Sequence, residues 1–295
     1  MIQPNRTTPS AAEITRQLAD VKTLTGGTRE FAFTRDDFDR IAKLIHQHAG
    51  ISLSPIKFDM VYSRLARRLR ATGDATFADY IRRLERNDHT EWETFVNSLT
   101  TNLTSFFREA HHFDLLKDHL TRLGKPTARI WCSAASTGEE PYSIAITCCE
   151  LYGSMMPPVE IIATDIDTNV LAQGQAGVYG EDRIEKLSPE LVRKYFLRGT
   201  GNRAGDVRVR PELQKLIRFS RLNLLEPNWS VRGPLEAIFC RNVMIYFDNE
   251  VRKKLLDEVY RLLKPGGYLV VGHAESLTGM LCNLKSVRPS IYVKE

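Results

Sequence analysis

Apolar positions recur at helical spacing through the first third of the chain. Phe38, Ile41, Leu44 and Ile45 form one face of a helix that Thr34 can cap and Gly50 can stop. Ser54 and Pro55 start a second, with Phe58, Val61, Tyr62, Leu65 and Leu69 on one side and Gly73 at its end. A third runs near Thr76 to Arg86 through Phe77, Tyr80, Ile81 and Leu84. Thr90 and Glu93 have capping-box spacing and open a fourth, which buries Trp92, Phe95, Val96 and Leu99. Residues 31–99 therefore read as a small all-helical domain. Residues 1–30, rich in Thr, Pro, Gly and charge and without apolar period, read as a flexible tail.

The period is lost at Thr100 to Arg108, where hydroxyls and an amide sit beside Phe106, Phe107 and an arginine; 100–112 is expected to be an ordered linker. A helix near Glu109 to Leu123, ending at Gly124 and Pro126, leads into a different pattern. Arg129 to Ser143 reads Arg-Ile-Trp-Cys-Ser-Ala-Ala-Ser-Thr-Gly-Glu-Glu-Pro-Tyr-Ser. Strand formers give way to small residues, and Pro141 then opens a helix, where its missing N–H costs nothing. Val159 to Thr164 is a second strand ending at Asp165. Ser188 and Pro189 open a helix through Phe196, and Gly199 to Gly205 is turn-rich. Asp206 to Arg210 alternates with period two, and Leu216 to Phe219 follows. These predict a small antiparallel insertion at about 188–222. Leu235 to Cys240, Tyr268 to Gly272 and Ile291 to Lys294 are further strands, with an amphipathic helix over Asp248 to Leu263 and a Lys-Pro-Gly-Gly turn at 264–267. The expected fold is α/β and Rossmann-like over 113–295, preceded by the helical domain.

The 295 residues allow a large and a small unit, and a net charge of +5 favours an acidic partner without naming it. On the second helix Arg64, Arg67 and Arg68 lie on neighbouring turns with Arg70 nearby; they are either a solvated face or a docking face for an acidic partner. No nucleic-acid motif accompanies them. Met1 to Ser10 is polar and no window approaches the roughly 18 apolar residues of a membrane span, so a cytoplasmic protein without direct membrane insertion is expected. The five cysteines form no C-x-x-C pair and read as buried free thiols. His46 with His48, and His111 with His112, lack i, i+4 spacing and an obvious third ligand, so no metal is assigned.

The chemistry concentrates at the strand–loop–helix turn. An acidic residue closing the next strand, here Asp165, is the usual acceptor for ribose hydroxyls. A dinucleotide site would want G-x-G-x-x-G to receive a pyrophosphate, whereas this loop has one glycine followed by Glu139 and Glu140, which would repel phosphate. A cationic nucleoside suits it better: S-adenosylmethionine carries a ribose, a sulfonium and an ammonium and no phosphate. Glu140 is expected to face solvent at the helix start and is left out of the site.

Four stretches carry a resemblance. Asn-Leu-Thr-Ser-Phe-Phe-Arg-Glu at 102–109, Ala-Ala-Ser-Thr-Gly-Glu-Glu-Pro-Tyr-Ser at 134–143, Ala-Thr-Asp-Ile-Asp at 163–167 and Cys-Arg-Asn-Val-Met-Ile-Tyr-Phe at 240–247 resemble the bacterial chemotaxis-receptor methyltransferases, the CheR family. The resemblance runs from about Phe31 to the C-terminus. It implies a class I S-adenosylmethionine-dependent methyltransferase domain and transfer of the methyl group to glutamates of chemoreceptor cytoplasmic domains, leaving S-adenosylhomocysteine. By the same resemblance the helical domain engages the acidic methylation region, and the edge of the small sheet takes a C-terminal receptor peptide. Asn102, Thr104, Arg108, Glu139, Asp165, Asn223, Leu224, Arg241 and Asn242 would line the cofactor site, with Glu139 toward the ammonium. Arg108 and Tyr246 would position the reacting glutamate. Two other readings compete: a sensor module that binds cofactor or receptor with little catalysis, and a nucleic-acid methyltransferase. The latter is disfavoured by the missing Asn-Pro-Pro-Tyr-type tetrad after the Leu235 strand.

Overall fold

The structure, a computed structural model, describes residues 29–86, 89–124, 127–277, 280 and 283–295. The expected tail lies outside these except for Arg29 and Glu30, which pair with Asp59 and Arg70 at 2.6 Å each. Pro126 and Cys282 also lie outside.

Four helices pack first: α1 (Arg35–Ala49), α2 (Phe58–Thr72), α3 (Phe77–Glu85) and α4 (His89–Leu99). Phe38, Ile41, Ile45, Val61, Leu65, Leu69, Tyr80 and Phe95 form their core. Thr34 caps α1 reciprocally with Asp37, and Gly50 ends it at φ 68°. The capping box expected at Thr90 and Glu93 is not formed. The Thr90 carbonyl accepts from Thr94 Oγ1 at 3.2 Å inside the helix, and Glu93 accepts from Thr168 Oγ1 at 2.5 Å. Most of the arginine face is spent within the unit. Arg64 donates to the carbonyls of Ser98 and Thr100, Arg68 forks onto buried Glu91, and Arg70 holds Glu30; Arg67 is exposed.

Then follow α5 (His111–Arg122), β1 (Ala128–Cys132), α6 (Glu139–Tyr152), β2 (Val159–Asp165), α7 (Thr168–Ala176) and β3 (Val178–Gly180). The chain continues through α8 (Pro189–Tyr195), β4 (Phe196–Arg198), β5 (Asp206–Val209), α9 (Pro211–Gln214) and β6 (Ile217–Arg221). It ends with β7 (Leu235–Cys240), α10 (Asn249–Leu262), β8 (Leu263–Val271), β9 (Leu284–Arg288) and β10 (Ile291–Lys294). The main sheet has the order β6-β2-β1-β7-β8-β10-β9, parallel except where β10 runs against β8 and β9. Both faces are covered, as a parallel sheet requires: Ile130 and Cys132 pack toward one core while Trp131 packs toward the other. The expected α/β Rossmann-like fold with a preceding helical unit is what the chain forms.

The insertion differs from expectation. The small sheet is β3-β5-β4, and Ile217–Arg221 pairs parallel with β2 at the edge of the main sheet. An edge strand is half-exposed and alternates like an antiparallel one, so its pattern does not reveal its sheet. Lys264 to Gly267 is not a separate turn but part of β8, whose pairing with β7 shifts register there. From β1 the chain winds outward to β2 and β6, then returns to the other side of β1 with β7, which opens a crevice at the carboxyl ends of β1 and β7.

Candidate functional site

The loop after β1 is held by backbone bonds to the neighbouring strand. Ala135 N donates to Thr164 O at 2.9 Å, and Ser136 N donates to Asp165 Oδ2 at 2.8 Å. Gly138 follows at φ 96°, where a Cβ would come within 2.8 Å of Gly174 Cα, so only glycine lets α6 start this close to α7. Asp165 also accepts from Asp167 N at 3.0 Å. Burial dominates over these bonds and pushes its carboxyl up to about 6.

The linker is ordered by its aromatics. Phe106 packs edge-on against Tyr179 of β3 and Phe196 of β4, with centroids 5.2 and 5.3 Å away, and Phe107 packs on Phe113 at 5.1 Å. Phe107 and Glu109 take left-handed backbone at φ 51° and 58°, a cost these contacts sustain. Thr100 Oγ1 and Asn102 Nδ2 both donate to Asp167 Oδ2, at 2.7 and 2.8 Å. Asp167 in turn caps α7.

At the end of β7, Arg241 is buried and paired through both terminal nitrogens of its guanidinium, while its buried Nε has no partner among the described residues. It pairs with Glu140 and, at 3.1 Å, with Glu109, and donates to the Arg108 carbonyl at 2.6 Å. Burial pulls the guanidinium down, but the two carboxylates outweigh it and raise it above its ordinary value. The loop that follows is shaped by buried Glu275, whose Oε2 accepts from the N–H groups of Asn242 and Gly272 at 2.7 Å each and whose Oε1 accepts from Ile245 N at 3.2 Å. Lys57 Nζ lies 5.1 Å from the centre of the Tyr246 ring.

These walls line a crevice that opens to solvent. Asn102, Thr104, Arg108, Asp165, Asn223, Leu224, Arg241, Asn242 and Tyr246 all line it. Glu139 does not. It is fully buried behind the loop, bound to Arg183 and Thr137 Oγ1, while Glu140 lies on the crevice wall, the reverse of the sequence expectation. Successive residues at a helix start point about 100° apart, and nothing in the pair Glu-Glu tells which one turns inward. The helical unit supplies Ala49, Ile51, Lys57 and Leu99 to the same crevice. Asn223 ties it down by donating to His48 O at 2.7 Å. Glu275 and Lys57 were not found from sequence, since only the fold brings them to the site.

The profile of the CheR methyltransferase SAM-binding domain matches residues 102–293, and that of the CheR all-alpha domain matches residues 36–100. The chain belongs to the CheR methyltransferase family. A chemotaxis protein methyltransferase 2 of Pseudomonas aeruginosa is 49% identical over 269 residues, 90% of this chain and 95% of its own. The chemotaxis protein methyltransferase of Escherichia coli is 49% identical over 252 residues, 85% of this chain and 88% of its own. A solved S-adenosylmethionine-dependent methyltransferase from Methanosarcina mazei is 15% identical, with a TM-score of 0.30 over 49% of this chain and 51% of its own, too distant to bear on the site.

As a CheR protein, the chain is an S-adenosylmethionine-dependent methyltransferase. The crevice fits that cofactor. Glu140 is neutralised by Arg241, but Asp165 lines the crevice as a buried acid held by backbone N–H groups, which would oppose a phosphate and could accept the hydroxyls of a nucleoside. Among the described residues no helix is long and apolar enough to cross a membrane.

Proposed function

We propose that this enzyme methylates glutamate side chains of chemoreceptor cytoplasmic domains, giving methyl esters, and that it does so in the cytoplasm. The observation that carries the reading is the crevice wall where Arg108 and Tyr246 stand with Lys57 and, among the described residues, no histidine. A glutamate near its ordinary pKa of about 4.3 is ionised at neutral pH and needs no general base. It needs a cation or phenol to aim it and walls to exclude water.

When bound, the cofactor supplies an electrophilic methyl on a sulfonium sulfur. Transfer of that methyl to a substrate carboxylate would require no proton to move, so the residues here would have only to orient the carboxylate and exclude water. Asp165 would take the ribose hydroxyls, and of the two glutamates Glu140, which lines the crevice though paired with Arg241, would be the one to face the ammonium. Asn102, Thr104, Asn223, Leu224 and Asn242 would form the remaining walls. Arg241, spent on two carboxylates, would act as a positioning residue that holds Arg108 through its carbonyl. Arg108, half-exposed with Nη1 on the Leu103 carbonyl at 2.9 Å, is free to touch one oxygen of the substrate. A tight bidentate pair would instead stabilise the ground state and slow attack.

Of the arginine face Arg67 is exposed to an acidic receptor, and Lys57 lines the crevice. Among the described residues β4 pairs only with β5, so its outer edge, with exposed Leu197 and Arg198, is open to a receptor peptide as an added strand.

Incubation with methyl-labelled S-adenosylmethionine and a receptor cytoplasmic domain tests the reading. Base-labile label released as methanol is expected. Absence of label on receptor, or base-stable label on nucleic acid, would overturn it.

A further inference from the structure

We propose that His111, His112 and His273 form a binding site for a divalent transition metal ion of the zinc class, outside the methyl-transfer crevice. His111 and His112 begin α5, and their spacing alone offers no third ligand. The fold supplies it from His273, two residues beyond the end of β8. One ligand atom from each of the three lies within 4.8 Å of the others. His111 Nε2 and His273 Nε2 are 3.2 Å apart. Zn–N bonds of about 2.0–2.1 Å at a tetrahedral angle put neighbouring ligand nitrogens about 3.3–3.4 Å apart, so the spacing already matches.

An imidazole–imidazole hydrogen bond would account for His111 and His273 but not for His112. Its ring is fully buried against them, with centroids 4.1 Å from His111 and 5.6 Å from His273, and neither of its nitrogens has a hydrogen-bond partner. A buried imidazole left without partners costs free energy that a metal ion would recover. The rings of His111 and His273 are stacked at 21°, so their lone pairs converge only after a modest turn; both side chains are exposed and free to make it.

Glu109 completes the arrangement. Its Oε2 is 3.4 Å from His112 Nδ1, placed to receive that proton when the other nitrogen is ligated. The same oxygen is 3.1 Å from Arg241 Nη2, which offsets a nearby cation that would oppose a metal here. Three imidazoles of neutral charge select a borderline ion such as zinc over magnesium or calcium, which prefer oxygen ligands. An ion at this position would staple the start of α5 to the loop after β8.

The test uses the full chain, free of any histidine tag and stripped with a chelator, titrated with cobalt chloride and then zinc chloride. The expected result is one equivalent of cobalt with the intense visible bands of a four-coordinate, nitrogen-ligated ion, displaced by zinc, and a melting temperature raised by zinc. His273→Ala, at an exposed position, should melt like wild type without metal, bind cobalt at least about tenfold more weakly and lose the zinc-induced rise. His111→Ala should do the same. Absence of the bands, or equal affinity in wild type and His273→Ala, would overturn the site.

Discussion

Two ends of the crevice handle charge in opposite ways. At the end of β2, Asp165 is a buried acid that, among the described residues, is held by backbone N–H groups and paired with no cation. At the end of β7, Arg241 is a buried cation with two acids and a carbonyl around it. An acid without a cation partner retains capacity for a ligand, whereas a cation already neutralised by two acids acts as scaffold. The contrast separates two residues that motif resemblance places in one class.

The sharpest way to break it is Arg241→Ala, which strands Glu109 and Glu140 without their cation. Stability should fall by about 3–5 kcal/mol, read from denaturant unfolding. A loss below about 1 kcal/mol would show that the cluster is not what holds this wall. Next, Asp165→Ala should leave the fold far less affected but weaken cofactor binding at least about tenfold, since hydrogen bonds to a charged group contribute about 1.5–3 kcal/mol each. Calorimetric titration checks this, and unchanged affinity would refute the ribose assignment.

The same carboxylate gives a pH dependence. Its folded pKa is raised to about 6, so its contribution to stability is present below about pH 4 and lost as pH rises through about 6; at neutral pH the ionised form is a cost. Ribose binding wants that ionised form, so cofactor affinity should decline as pH falls through about 6. Asp165→Asn should flatten the decline. A smaller effect is expected from Tyr246→Phe, which should slow turnover while leaving cofactor affinity intact; a parallel loss of both would place the phenol at the cofactor instead. Least of all, Glu139→Gln should leave cofactor affinity unchanged and Glu140→Gln should lower it, and the reverse order would restore the sequence reading of that pair.

Much of this was legible before any coordinates. The cap at Thr34, the helix start at Ser188 and the apolar faces of α1 to α4 are local signals, read within one or two turns of helix. The strand-end position of Asp165 is local as well. What escaped needed either phase or distance. Val178–Gly180 is three residues with a glycine, too short for any period to register. Glu139 and Glu140 differ only in rotation about the helix axis. His273 reaches His111 across 162 residues of chain, and Glu275 reaches Asn242 across 33, and no spacing rule spans either gap.

The bonds between the helical unit and the sheet have a consequence for how such an enzyme can diversify. Gly50 lies so close to Leu225 that a Cβ there would come within 2.5 Å of it. Nearby, Ser52 N donates to Tyr246 O at 2.8 Å and Asn97 Nδ2 to Thr168 Oγ1 at 3.0 Å. The unit that would choose the receptor is thus also one wall of the cofactor pocket. It cannot be exchanged by shuffling a cassette without reshaping that pocket, so partner choice and cofactor binding must be inherited together.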